Sequence, residues 1–352
     1  MTANDVEATA EAGVKLQGLL SRFSRKTLLI AGGTLILLLF FFTLPAWVNV
    51  DTSYAGYYIF ITCIYYVIAQ GWNLVAGYTG QISLGQNAFF GLGAYAMSGM
   101  WLHGIGIYFF FDVTLMIVAG IAPAILAILI GIPLLSRLKG DYFSFGTLGM
   151  GMIVLVLFNK GGRVTGGAGG VYLDATRFTT FNIYYWVALC AAVLATIVVY
   201  ALTHSRIGLA LKAIREDDIS AASHGVNILK YKVMAFAVAA FMAGVAGCMY
   251  AYYLFHLEPA SAFNMNWLFY PILCVVLGGT GTIFGPVIGA FIVSALFAYG
   301  DVYFGGYHPI VSGLLIILVM RFMPDGMLGI LSKGSGRLFR RKESTSAVSA
   351  DS

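Results

Sequence analysis

The residues of this chain that could do chemistry are small and polar, and they gather where apolar sequence breaks. The first break reads Gly77-Tyr-Thr-Gly-Gln-Ile-Ser-Leu-Gly-Gln-Asn87 and runs on through Ala-Phe-Phe-Gly-Leu-Gly-Ala-Tyr95. The second reads Gly278-Gly-Thr-Gly-Thr-Ile-Phe-Gly-Pro286. Irregular backbone at membrane depth survives only where protein or water satisfies its N–H and C=O groups. Paired breaks of this kind mark substrate paths in transporters. Gln81, Ser83, Gln86 and Asn87, with Asn73 just upstream, are therefore candidates for lining the path of a polar solute. Gly77, Thr79, Gly80 and Ile82 match Gly278, Thr280, Gly281 and Ile283, a weak internal repeat. An ordinary turn would suit the second break equally. The first carries too many polar side chains for a simple turn, yet both a re-entrant segment and a cytoplasmic turn fit it. A third glycine run, Gly161 to Gly170, could present N–H groups to an anion, but a flexible or tightly turned loop is the preferred reading.

Other chemistry is missing. No Gly-x-x-x-x-Gly-Lys-[Ser/Thr] pattern occurs, so the chain has no Walker-type ATP site of its own. There is no HExxH, and His103, His204, His224, His256 and His308 are scattered. Gly80-Gln-Ile-Ser-Leu-Gly85 lacks the Gly-x-Ser-x-Gly spacing of a serine nucleophile and has no histidine near it in sequence. Cys63, Cys190, Cys248 and Cys274 lie in apolar runs and read as small hydrophobes. Neither a cofactor nor a metal is expected, and the chain is not read as an enzyme.

The elements that must carry these residues are membrane helices. Of the 352 residues, 60% are hydrophobic and 10% charged. Soluble chains run near 45–50% and about 25%. So few charges exclude a soluble enzyme, a disordered chain and a nucleic-acid binder. Charge-free runs long enough to span a bilayer fall near 28–48, 54–77, 87–103, 113–136, 142–159, 183–203, 233–255, 267–281, 283–300 and 307–320. The expected fold is an all-α polytopic membrane protein of about ten transmembrane helices, with no Asp, Glu, Lys or Arg inside a span. Ten spans put both termini on one side. Of the 20 Lys and Arg, only Lys160, Arg163 and Arg177 then fall on the other side, so the Lys/Arg-rich side is cytoplasmic. The extracytoplasmic loops hold Asp51, Asp112, Asp174, Glu258 and Asp301.

Residues 1–27 form a cytoplasmic N-terminal segment, 28–331 the transmembrane domain and 332–352 a basic, Ser-rich cytoplasmic tail. The start is preferred as an uncleaved first span over a signal peptide, because its polar lead is long and acidic. The longest charged internal segment is 205–232. Ile207, Leu211 and Ile214 share a helical face. Asp217 or Asp218 can cap a second short helix, Ile219 to His224, which Gly225 would stop. Two short amphipathic helices joined at an acidic corner suit docking to a soluble partner.

Gly71-Trp-Asn-Leu-Val-Ala-Gly-Tyr-Thr-Gly-Gln-Ile-Ser-Leu-Gly-Gln-Asn-Ala-Phe-Phe-Gly-Leu-Gly-Ala-Tyr95 resembles the signature of LivM-type permeases of bacterial branched-chain amino acid ABC importers. Further matches follow in order. They are Leu138-Lys-Gly-Asp-Tyr-Phe143, Thr165-Gly-Gly-Ala-Gly-Gly170, Gly208-Leu-Ala-Leu-Lys-Ala-Ile-Arg-Glu-Asp-Asp218, Leu277-Gly-Gly-Thr-Gly-Thr-Ile-Phe-Gly-Pro286 and Met323-Pro-Asp-Gly-Met-Leu-Gly329. The resemblance covers about 55–331. It implies a type II-like importer permease in the bacterial inner membrane, paired with a second homologous permease and two cytoplasmic ABC ATPases. An extracytoplasmic binding protein would deliver leucine, isoleucine or valine. The segment with Arg215, Glu216, Asp217, Asp218, Ala221, Ala222 and Gly225 would dock the ATPases, similar to the EAA loop of importers, although Ser220 and His224 depart from its commonest residues. Gln86 departs too, since His commonly follows Gly85 in the family. That departure bears on the substrate, and relatives carry urea, short amides or aromatic acids. The reading from a different class is a passive channel or facilitator for a small polar solute.

Overall fold

A computed structural model describes residues 53–304, apart from 105–111, 139, 163–164 and 174–179, together with positions 43, 310, 313–314, 317, 321 and 326–327. The predicted spans 28–48 and 307–320 lie almost wholly outside the described residues. The other eight appear as helices: α1 Tyr54–Thr79, α2 Gln86–Leu102, α3 Val113–Arg137, α4 Asp141–Lys160, α5 Phe181–Thr203, α8 Ile228–Leu254, α10 Asn266–Gly278 and α11 Gly285–Phe304. Between them lie the short helices α6 Arg206–Glu216, α7 Asp218–Ser223 and α9 Pro259–Ala262. The all-α expectation is interrupted by one ladder, β1 Val171–Tyr172 antiparallel to β2 His256–Leu257. Among the described residues, six segments are long and apolar enough to cross a membrane, namely α1, α3, α4, α5, α8 and the run Pro259–Gly278. The chain is a multi-pass membrane protein.

Helix α8 is the axis of the bundle, packed against α1, α2 and α3. Its buried stripe of Ala239, Ala240, Ala243, Gly244 and Gly247 lets neighbouring backbones come close, as small residues do between membrane helices. A Cβ on Gly244 would strike the Ala119 carbonyl of α3, and one on Gly247 the Phe90 carbonyl of α2. The opposite pattern marks the lipid side. On α3, Ile117, Ile121, Ile125, Leu129 and Ile132 all face outward, an apolar surface that water would not tolerate.

One boundary departs from expectation. Helix α8 begins at Ile228 rather than near 233, because the Asn227 side chain caps it by accepting from Lys230 N at 3.1 Å. Lys230 and Lys232 therefore lie inside the helix. Lys232 is only 6% exposed and is paired with Asp218 at 2.7 Å, so the helix runs about five residues beyond the predicted charge-free span 233–255. In the glycine run after α4, Gly167–Gly169 form one 3-10 turn, and φ is positive at Gly162, Gly166, Gly167 and Gly170.

Candidate translocation path and docking element

Helix α1 ends at Thr79, and Gly80, at φ +73°, turns the chain back. Residues 80–85 are not helical, so their backbone groups need outside partners. They find them on α1 and α4. Trp72 Nε1 donates to Ser83 O at 2.8 Å, Ser144 Oγ donates to Ile82 O at 2.7 Å, and Leu84 N donates to Thr147 Oγ1 at 2.9 Å. Gly85 sits so close to α4 that a Cβ would lie 2.8 Å from Thr147 O. Helix α2 starts only then, and a Cβ on Gly151 would lie 3.1 Å from Asn87 Oδ1. Gly151 is midway along α4, about 15 Å from its start at 1.5 Å per residue. The N-terminus of α2 thus lies beside the middle of α4, one or two turns beyond the break itself, whose Ile82 O is held by Ser144 in the first turn of α4.

The polar side chains around this point are buried and incompletely paired. Gln86 is 0% exposed, and neither amide atom has a hydrogen-bond partner among the described residues. Asn87 Nδ2 donates to Phe263 O at 3.0 Å, but Oδ1 is unpartnered. The same holds for Gln81 Oε1. Ser83 Oγ accepts from Gly85 N at 3.4 Å. Each unmet group costs about 1–3 kcal/mol and so calls for a reason. Asn73 is placed differently. Its Oδ1 accepts from Gly281 N at 2.8 Å, and its Nδ2 donates to Thr282 O at 2.7 Å. Gln70 Nε2 donates to Ile283 O at 2.7 Å. These two side chains tie the second break to α1. A Cβ on Gly77 would lie 2.6 Å from Gly281 N, so the two breaks touch.

The segment after α5 forms two short helices, as its pattern predicts. Leu211 and Ile214 are buried, whereas Leu209 and Ile219 are exposed. Of the two possible caps, Asp217 is the one used, accepting from Ile219 N and Ser220 N. Asp218 instead pairs with Lys232. Gly225, at φ +83°, ends α7. Glu216 and Ala222 are exposed and Ala221 is buried. Arg215 reaches inward. Its Nη1 donates to Gly77 O, and a Cβ on Gly281 would lie 2.6 Å from that nitrogen. One guanidinium thus touches both breaks. The sequence reading missed Gln70, Trp72, Ser144 and Thr147. Only their polarity inside apolar runs could have flagged them. Among the described residues, no group of three or more His, Cys, Asp or Glu could hold a metal ion.

The family model described as a branched-chain amino acid transport system permease component matches residues 54–320. The chain belongs to that permease family. It is 32% identical over 298 residues to the permease LivM of Salmonella typhimurium, covering 76% of this chain and 68% of the relative. A probable LivM permease of Methanocaldococcus jannaschii is 24% identical over 311 residues, covering 75% and 90%. The permease LivH of Salmonella typhimurium is 31% identical over 156 residues, covering 44% and 49%. No solved structure matches. Family membership agrees with a transport subunit rather than an enzyme. The match also takes in both glycine breaks and the α6–α7 segment, so these belong to the permease fold.

Proposed function

We propose that the permease is the membrane subunit of an ATP-driven importer for branched-chain amino acids. Hydrolysis takes place on two separate cytoplasmic ATPases, a second homologous permease completes the path, and an extracytoplasmic binding protein delivers the solute. The subunit lies in a bacterial inner membrane with both termini and α6–α7 on the cytoplasmic side, as the distribution of Lys and Arg supports. The observation that carries this reading is the Arg215 contact. The exposed face of α6–α7 offers Leu209, Glu216, Ile219 and Ala222 to a soluble partner. Its inner side grips Gly77, where the two breaks meet. A push on α6–α7 therefore moves both breaks together.

The unpaired amide groups of Gln81, Gln86 and Asn87 then have a use: they hydrogen-bond a polar solute crossing the mid-plane, with Ser83 beside them. Asn73 holds the second break against the first, so that both shift as one unit. This is alternating access driven from the cytoplasm, and it needs no ATP site on this chain. Gentle-detergent purification with mass spectrometry is expected to recover two P-loop ATPases and a second permease. Proteoliposomes of that assembly, given binding protein outside and ATP inside, are expected to accumulate radiolabelled leucine. Leucine flux through the chain alone without ATP would replace this reading with a passive facilitator.

A further inference from the structure

At the end of the bundle opposite α6–α7 lies a polar cavity of about 370 Å³, within the size range of small-molecule sites. Tyr57 and Tyr65 of α1, Tyr250 of α8 and Trp267 of α10 form its aromatic side. Glu258, Asn264 and Asn266 supply polar groups. None of these residues belongs to the path of Gln81, Gln86 and Asn87. Among the described residues, Glu258 is the only carboxylic acid lining the cavity, and no Lys or Arg pairs with it. The aromatic side is rigid: Trp267 is buried, makes edge contact with Tyr250 at 4.5 Å, lies 5.5 Å from Tyr65, and donates through Nε1 to Ser261 O at 3.1 Å. The glycine turn fixes the acid. Strand β1 pairs with β2 directly before Glu258, and Gly170 lies so near that a Cβ would sit 2.8 Å from Glu258 Cα.

A carboxylate without a cationic partner, set among tyrosine and tryptophan rings, suits a small organic cation. Asparagine side-chain amides suit a carboxylate. Asn264 Oδ1 is occupied by Asn266 N at 2.9 Å, which leaves the Nδ2 groups as the donors on offer. We propose that this cavity is the outward-facing receiving site for a zwitterionic α-amino acid with an apolar side chain. Glu258 takes the ammonium group, Asn264 and Asn266 the carboxylate, and the aromatic wall the side chain. The site rests on the importer reading above. It names the group that meets the solute before it reaches the mid-plane. The floor gives a route inward: Trp267 stacks at 4.0 Å on Phe90, one helical turn from Gln86 and Asn87. Trp267 thus separates the cavity from the unpaired amides, and α10 joins it to the second break at Gly278.

The test compares wild type with Glu258→Gln and Glu258→Asp in proteoliposomes of the full complex, at equal recovery of the assembled complex. The probe is radiolabelled leucine delivered by the binding protein. Glutamine keeps the shape but not the charge, so Glu258→Gln is expected to lower kcat/KM for uptake about tenfold, as for one lost charge-assisted contact. Glu258→Asp keeps the charge and is expected to recover most of that loss, which a merely structural role would not produce. Equal kcat and KM in wild type and Glu258→Gln would overturn the site. So would an Asp variant as impaired as the Gln variant. A wild-type complex that takes up no leucine at all is a different outcome. It refutes the importer reading itself, and the site falls with it.

Discussion

Arg215→Ala separates a mechanical link from a charged docking patch. The wild-type guanidinium donates to Gly77 O beside Gly281. A hydrogen bond with a charged donor contributes about 1.5–3 kcal/mol when buried. This residue is exposed on its outer side, and solvent screening reduces the contribution to about 1 kcal/mol. That corresponds to a factor of about five in an equilibrium between coupled and uncoupled arrangements. The assay is leucine accumulated per ATP hydrolysed in proteoliposomes, with the amount of ATPase bound to the permease measured in parallel. Arg215→Ala is expected to keep its ATPases and lose about fivefold in that ratio. Arg215→Lys should recover little, because an ammonium lacks the guanidinium's planar fork of donors. Gly281→Ala should do more harm than either. Its Cβ would lie 2.6 Å from Nη1 and 3.0 Å from Gly77 O at a φ of +73°, a conformation that L side chains rarely adopt. An unchanged ratio in Arg215→Ala, with ATPase binding also unchanged, would refute the link. Loss of ATPase binding in proportion to uptake would make Arg215 a docking contact only.

Three further outcomes are expected. Asn73→Ala leaves Gly281 N and Thr282 O without partners in a half-buried setting, and should cost about 1–3 kcal/mol, read as lost folded protein in a detergent thermal melt. Asp218→Asn strands the buried ammonium of Lys232. Because Asp218 is 32% exposed, the cost should be about 2 kcal/mol rather than the larger figure for fully buried pairs. The double variant with Lys232→Met should melt closer to wild type than Asp218→Asn alone, and a lower melting point for the double variant would contradict the pairing. Gly244→Leu drives a side chain into Ala119 O and Pro123. Overpacking of this kind costs about 1–3 kcal/mol or more, and a mono-disperse elution profile equal to wild type would show that the α3–α8 crossing is looser than drawn.

Residue type and period were enough for the helices. An apolar run of bilayer length has few alternatives, so α1, α3, α4 and α5 fall within a few residues of their predicted limits. The capped corner at Asp217 and the stop at Gly225 were equally legible, since both are local backbone chemistry. Locality also explains the errors. The Asn227 cap sets the start of α8, but the acid that neutralises Lys232 inside it lies fourteen positions earlier in another helix. The choice between Asp217 and Asp218 as cap had the same origin.

The path shows the division most plainly. Sequence located the two glycine breaks and their polar residues, because glycine and amides stand out against apolar helices. It did not show what satisfies the non-helical backbone of 82–84, and Trp72, Ser144 and Thr147 do so from two different helices. Asn73 looked like a residue lining the path, yet its amide is taken up by Gly281 and Thr282, more than two hundred positions away. No local pattern carries such a pairing. Hydrogen bonds between remote segments exist only once the helices have packed, and that packing decides which polar groups are used up in holding the fold and which remain unpaired.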